Sequence, residues 1–245
     1  MARPTWLTKN LVALSWVSLL QDAASEMLYP LLPILLNSVL HAPAAVVGMI
    51  EGLAEAAAAT TKLASAWMHQ YLPKKWMILL GYAGAAIGKV IVAAAAFWPV
   101  VMVGRVVDRL GKGMRSAARD ALLVSEIDRA HRGRAIGLHR TADTTGAVIG
   151  PLLALGLLAA FNNDLHAVLW FAVIPGVIST LLVLFVKDSG GRAPRAATKQ
   201  VGDERALPSR VNQSIALITV FSVLNFPDAL VLLHLGQIGF SVVEV

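Results

Sequence analysis

Apolar residues recur along the chain in windows of about twenty, the length that carries a helix across roughly 30 Å of hydrocarbon. Seven windows stand out: Leu11–Leu36, Ala44–Met68, Trp76–Phe97, Val100–Leu123, Ile136–Ala160, Ala167–Val186 and Gln213–Gly236. The pattern predicts an all-α, polytopic membrane protein, with six spans in one bundle and a seventh after an interruption. The first window has no small-residue cleavage site after a short apolar core, so it reads as a retained span.

Composition agrees with that class. The chain is 57% hydrophobic and 15% charged, against roughly a quarter charged in soluble domains. A sequence pI near 9.9 invites a nucleic-acid reading, but the basic residues sit where topology puts them. They cluster at Arg3 and Lys9, at Lys74 and Lys75, at Arg129, Arg132 and Arg134, and from Lys187 to Arg210. The alternate turns, Asn37–Pro43, Trp98–Pro99, Phe161–His166 and Gln237–Val245, have none. This asymmetry predicts a cytoplasmic amino terminus in a cell (inner) membrane, and a lipid bilayer rather than nucleic acid as partner. The chain has no cysteine, which excludes disulfides and thiolate chemistry.

The polar, Gly- and Pro-containing stretch KDSGGRAPRAATKQVGDERALPSR reads as a cytoplasmic linker, residues 187–210, between two halves. Residues 1–186 form the first half and 211–245 the start of a second, so a missing carboxyl-terminal half is expected.

One window breaks the apolar rule. GRVVDRLGKGMRSAARD, Gly104–Asp120, carries five basic and two acidic residues, each of which costs roughly 2.5 to 3.5 kcal/mol in hydrocarbon unless it faces a partner or a cavity. Arg105, Asp108, Arg109, Lys112, Arg115 and Arg119 recur at three- and four-residue spacing, within an arc of about 120° on a helical wheel. They form one face, and Asp108 is placed to neutralise Lys112. Lys112, Arg115 and Arg119 have two readings: they line the passage, or they snorkel to the cytoplasmic interface.

Other spans supply further charge. Asp22 and Glu26 share a face of the first, ahead of Pro30 and Pro33, which loosen its hydrogen-bond ladder. Glu51, Glu55 and Lys62 share a face of the second; the fifth carries His139, Arg140 and Asp143, and the seventh Asp228. Each fits either a structural interhelical pair or a solute and proton path. Gly84 and Gly88 in span three suit close helix packing, and Gly146, Gly150 and Pro151 in span five suit packing with a bending point.

These residues carry a resemblance. Six spans, a long linker and a further span resemble the major facilitator superfamily of secondary transporters (MFS). Arg105 with Gly111 and Gly113 is similar to its membrane-embedded arginine motif, and Gly146, Gly150 and Pro151 to the start of GxxxGPxxGG, with Ala154 and Leu155 replacing the last glycines. The usual GxxxDRxGRR loop is replaced by AWMHQYLPKK, of which Lys74 and Lys75 persist. GRVVDRLGK fits that loop motif better, but reading it as a loop would reverse the charge asymmetry. QDAASEMLYPLLP and RGRAIGLHRTADTTGAVIGP are similar to a bacterial subgroup of unassigned substrate.

The resemblance implies secondary, proton-coupled transport of a small polar or anionic solute by alternating access. Asp22, Glu26, Arg105, Asp108, Arg109, Lys112, Asp143 and Asp228 are then the residues for solute binding or coupling. Arg105 and Arg109 are expected to be opposed by Asp22 and Glu26. Glu51, Glu55, Lys62, Arg140, Gly146, Gly150 and Pro151 are expected to gate or pack. Drug efflux is the alternative within the class; a non-transporting remnant or subunit of a split transporter is the alternative outside it. No enzyme is expected: HExxH, GxxxxGK[ST] and DGxxAR are absent, and His139 with Asp143 gives two metal ligands where more are needed. No cofactor is implied.

Overall fold

The computed structural model describes residues 6–187, 209–224 and 228–238. Among the described residues the chain is helical throughout, with no strand. The six principal helices are α1 (Lys9–Leu28), α2 (Ala44–Met68), α3 (Lys74–Ala93), α4 (Trp98–Glu126), α5 (Arg132–Ala160) and α6 (Leu165–Val183). Thr8 caps α1 by accepting from the Leu11 amide at 3.1 Å. After Leu28 the ladder loosens as Pro30 and Pro33 demand. A 3-10 turn at Tyr29–Leu31, one α-turn and a π-turn at Leu35–Val39 carry the chain to the first loop.

Neighbours in space are not neighbours in sequence. α2 packs on α4, α4 on α3, α3 on α6, α6 on α1 and α1 on α5. The result is an arc whose two ends, α2 and α5, bear the least burial. Inside the protein lies 28% of the most apolar stretch of α2 and 22% of that of α5, against 56% for α3. α1 and α4, lightly in contact with each other, form the floor between them.

Among the described residues four helices are long and apolar enough to cross a membrane: α2, α3, α5 with its preceding turn, and α6. α1 and α4 fall outside that criterion because they turn polar side chains inward. Asn10, Ser15, Ser18 and Gln21 of α1 are buried, as are Arg105, Asp108, Arg115 and Arg119 of α4. The charged window is thus one unbroken helix of 29 residues, not a loop.

Small residues set the closest approaches. A methyl group on Gly88 would lie 2.6 Å from the Gly104 carbonyl oxygen, and one on Gly81 2.6 Å from Arg115 Cβ. These glycines, seven residues apart, seat α3 against Gly104 and Gly111 of α4. Gly84, the expected partner of Gly88, has ordinary clearance, with Gly111 Cα at 3.7 Å. On the other flank Gly146 meets the Leu19 carbonyl, and Gly150 would place a methyl 2.7 Å from that of Ala23, bringing α5 onto α1. α5 is continuous through Pro151.

One expectation on boundaries changes. Trp98 and Pro99 open α4 rather than forming a turn, because proline is tolerated where the first helical amides lack partners anyway. The expected seventh span contains α7 (Ser209–Leu224) and α8 (Asp228–Gln237), with 225–227 outside the described residues. Ala229 and Leu233 of α8 are buried in the apolar cluster formed with the end of α1 and with α2, and the Ala229 amide donates to Tyr29 Oη at 3.3 Å. Most of the expected linker, 188–208, lies outside the described residues.

Gly88→Leu is expected to wedge α3 from α4 and cost about 1–3 kcal/mol as overpacking, lowering the unfolding temperature in detergent. Gly84→Ala, with space available, is expected to leave it unchanged within about 0.5 kcal/mol.

Candidate functional site

The charged face of α4 is divided between two networks. In the first, Arg105 reaches α2: its Nε donates to Glu51 Oε1 at 3.0 Å, and its Nη2 donates to Oε1 at 2.8 Å and Oε2 at 2.9 Å. Both residues are buried. Asp108 lies 3.6 Å from Arg105 Nη1 and accepts from Lys89 Nζ of α3 at 3.3 Å. The Tyr29 ring lies 5.8 Å from the guanidinium carbon of Arg105. Two cations and two carboxylates therefore close an electroneutral group across α2, α3 and α4. One turn along α4, Arg109 Nε stands 3.3 Å from Glu55 Oε1, an ion pair by distance that lacks hydrogen-bond alignment.

The second network lies further along α4. Arg119 Nη1 donates to Ser18 Oγ of α1 at 2.7 Å, and Ser18 in turn lies 3.2 Å from Tyr82 Oη and 3.4 Å from His139 Nε2. Arg119 also pairs with Asp120 at 3.3 Å and with Asp143 of α5 at 3.6 Å. Arg140 ties the two carboxylates together, 3.2 Å from Asp143 and 3.4 Å from Asp120. His139 Nε2 is 3.7 Å from Asp143 Oδ1, and no group of three metal-ligating side chains occurs among the described residues. Arg115 sits between the networks with its guanidinium carbon 4.7 Å from the centre of the Tyr82 ring.

This placement revises the pairing expected from sequence. Arg105 and Arg109 are neutralised by Glu51 and Glu55, not by Asp22 and Glu26, because the α4 face that carries them packs on α2. Asp108 pairs with Lys89 rather than Lys112: one side of α4 is sealed against α3, and Asp108 lies on it. Arg115 and Arg119 do not snorkel, being 5% and 7% exposed, whereas Lys112 is exposed. Lys62 is exposed, and so is Asp228 at the start of α8. Asp22 and Glu26 are half-buried on α1.

Lys89 was within reach of sequence reasoning, since a lone lysine inside the apolar run IGKVIV demands a carboxylate. Ser18 and Tyr82 carry no such signal, because a serine or tyrosine in a span is cheap whether or not it is paired.

Open space lies along α5. A groove of about 490 Å³ is lined by Gly137, Arg140, Thr141, Thr144, Thr145, Val148 and Ile149. A smaller pocket of about 160 Å³ lies between α4 and α5 at Asp120, Leu123, Val124, Ile136, His139 and Arg140. The Thr141 and Thr145 hydroxyls donate back to the carbonyls of Gly137 and Thr141.

Removing one partner from a buried pair leaves the other charge stranded, at about 3–5 kcal/mol. Glu51→Ala is therefore expected to lower the detergent unfolding temperature far more than Glu55→Ala, whose carboxylate is 61% exposed. Arg105→Glu combined with Glu51→Arg is expected to recover part of the loss; equal damage from all of these variants would contradict the pairing.

The family model described as Major Facilitator Superfamily matches residues 14–244. The uncharacterized MFS-type transporter MJ1317 of Methanocaldococcus jannaschii is 27% identical over 221 residues, 90% of this chain and 55% of its own length. A probable 4-methylmuconolactone transporter of Cupriavidus pinatubonensis is 27% identical over 152 residues, 58% of this chain and 34% of its own. Among solved structures, a POT family transporter in complex with a thioalcohol-conjugated peptide superposes with a TM-score of 0.67 at 14% identity, over 90% of this chain and 48% of that one. This chain spans about half the length of such relatives.

Proposed function

We propose that this chain, which belongs to the Major Facilitator Superfamily, is the amino-terminal part of a secondary transporter that moves a small polar or anionic solute by alternating access, driven by protons. The observation that carries the reading is the charged face of α4, held inside a multi-pass membrane protein where only a polar cavity or a partner makes it affordable. Residues 1–186 are one half, 187–210 the cytoplasmic linker, and 211–245 the beginning of the second half. The mouth between α2 and α5 is where that second half closes the cavity.

Glu51 and Asp143 are the carboxylates assigned to proton exchange, each beside an arginine that holds it in place. A name such as 4-methylmuconolactone transporter on a relative supports a small organic acid or related polar compound as cargo. The basic segments at 74–75 and 129–134 support a cytoplasmic amino terminus in the cell (inner) membrane.

A second reading has one observation in its favour. The match spans 55% of the length of the MJ1317 transporter, and on this second reading the described half moves solute only together with a complementary half.

The test is uptake of small organic acids by proteoliposomes containing the 245-residue chain under an imposed proton gradient. Gradient-dependent uptake that falls at least tenfold in Arg105→Ala is expected. Uptake unaffected by Arg105→Ala would make the α4 charges structural; a folded chain with no uptake favours the subunit reading. Because the sequence has no cysteine, single cysteines placed at Lys9 and at His41 report topology directly. Labelling of the His41 site alone by an impermeant reagent added outside is expected, and the reverse result would invert the orientation.

A further inference from the structure

α1 and α4 touch through side chains at two levels and leave charges unmet between them. At one level Arg119 donates to Ser18 at 2.7 Å; at the other the Tyr29 ring lies 5.8 Å from the Arg105 guanidinium. One turn along α1 from Ser18 is Asp22, and one turn further Glu26. One turn back along α4 from Arg119 is Arg115, and one turn further Lys112. Running in opposite directions, the two helices bring Asp22 and Glu26 to the levels of Arg115 and Lys112.

None of Asp22, Glu26 and Lys112 makes an ion pair or side-chain hydrogen bond among the described residues. Asp22 nevertheless lies in the field of Asp143, Arg115, Arg119 and Lys112, and Lys112 in that of Arg109, Glu55, Arg115 and Asp22. The rest of the inward charge on α4 is consumed: Arg105 by Glu51, Asp108 by Lys89, Arg109 by Glu55 and Arg119 by Asp120 and Asp143. The neighbouring α5 contributes Arg140 and His139, both engaged with Asp143.

Resting on the transport reading, we propose that Asp22, Glu26 and Lys112, backed by Arg115, form the recognition site for a zwitterionic solute, one that carries an ammonium and a carboxylate. Asp22 and Glu26, the latter with its Cβ against Gly150 of α5, balance Lys112 and Arg115, so the four side chains sum to no net charge. A simple anion pairing with Lys112 is repelled by both carboxylates, and a simple amine pairing with Asp22 or Glu26 meets both cations. A solute with one charge of each sign satisfies both sides at once and brings no net charge into the membrane. The assignment departs from a site built on Arg105 and Arg109, whose guanidinium groups already have carboxylate partners in the protein.

The test is binding, read as the shift in unfolding temperature of the purified 245-residue chain in detergent at fixed ionic strength. The probes are glycine, β-alanine and γ-aminobutyrate, each against the analogue lacking its amine (acetate, propionate, butyrate) and the one lacking its carboxylate (methylamine, ethylamine, propylamine). At least one zwitterion is expected to bind tenfold or more tighter than both of its analogues. Lys112→Met and Asp22→Asn are expected to weaken it at least tenfold without moving the ligand-free unfolding temperature, while Lys112→Arg keeps it. Should Asp22→Asn fail to fold, Glu26→Gln takes its place. Equal binding of the acid or the amine alone, no binding of any zwitterion, or unchanged affinity in Lys112→Met overturns the proposal. Uptake of acids alone in proteoliposomes would also overturn it and leave the transport reading standing; zwitterion binding without uptake would do the reverse.

Discussion

A charge in a membrane-spanning helix needs a partner or water, and the organisation of this bundle follows from that constraint on α4. Five basic residues on a single helix cannot be neutralised by their own helix, which offers only Asp108 and Asp120 over the same stretch. Carboxylates from other helices must come to them. Glu51 and Glu55 draw α2 against α4, and Asp143 brings α5 within reach. Burial of the Arg105–Glu51 pair does not itself add much stability, since desolvation offsets most of the attraction. Its effect is on specificity: once both charges are buried, any register of α2 on α4 that separates them is strongly disfavoured.

Close packing by glycine makes that electrostatic arrangement possible. Lys89 reaches Asp108 because Gly88 and Gly104 let the two backbones approach to contact. With a side chain at either glycine, α3 would stand off and the lysine would sit in hydrocarbon without its carboxylate. The apolar clusters do the complementary work. Leu11, Leu14, Met77, Ile78 and Leu122 fill one end of the bundle, and Leu28, Leu32, Ile50, Val101 and Leu169 the other. The ionic groups are sealed between two dry layers.

Much of this was legible in the sequence. Apolar windows located α1 to α6 because a span is long and its signal redundant, and the three- and four-residue spacing from Arg105 to Arg119 predicted their shared face. Partner choice was not legible. A helical wheel shows which residues share a face but not which helix packs on it, so Arg105 could be set against Asp22 or Glu51 with equal warrant; only the order α2–α4–α3–α6–α1–α5 decides. Nor does hydropathy announce that α8 turns its buried Ala229 and Leu233 into the end of the bundle.

The same cross-links bear on how such a body can move. α4 is tied to α2 by Arg105, to α3 by Asp108, to α1 by Arg119 and, through Asp143, to α5. Sliding any of these helices by one turn, about 5.4 Å, would break a buried charge contact and leave an ion without a partner, so shear within the bundle is costly. Movement is cheapest where no charged group spans the gap, at the exposed faces of α2 and α5. A structure braced in this way favours displacement of the bundle as one body over rearrangement inside it. It also concentrates the remaining freedom in the few side chains that have not already found a counter-ion.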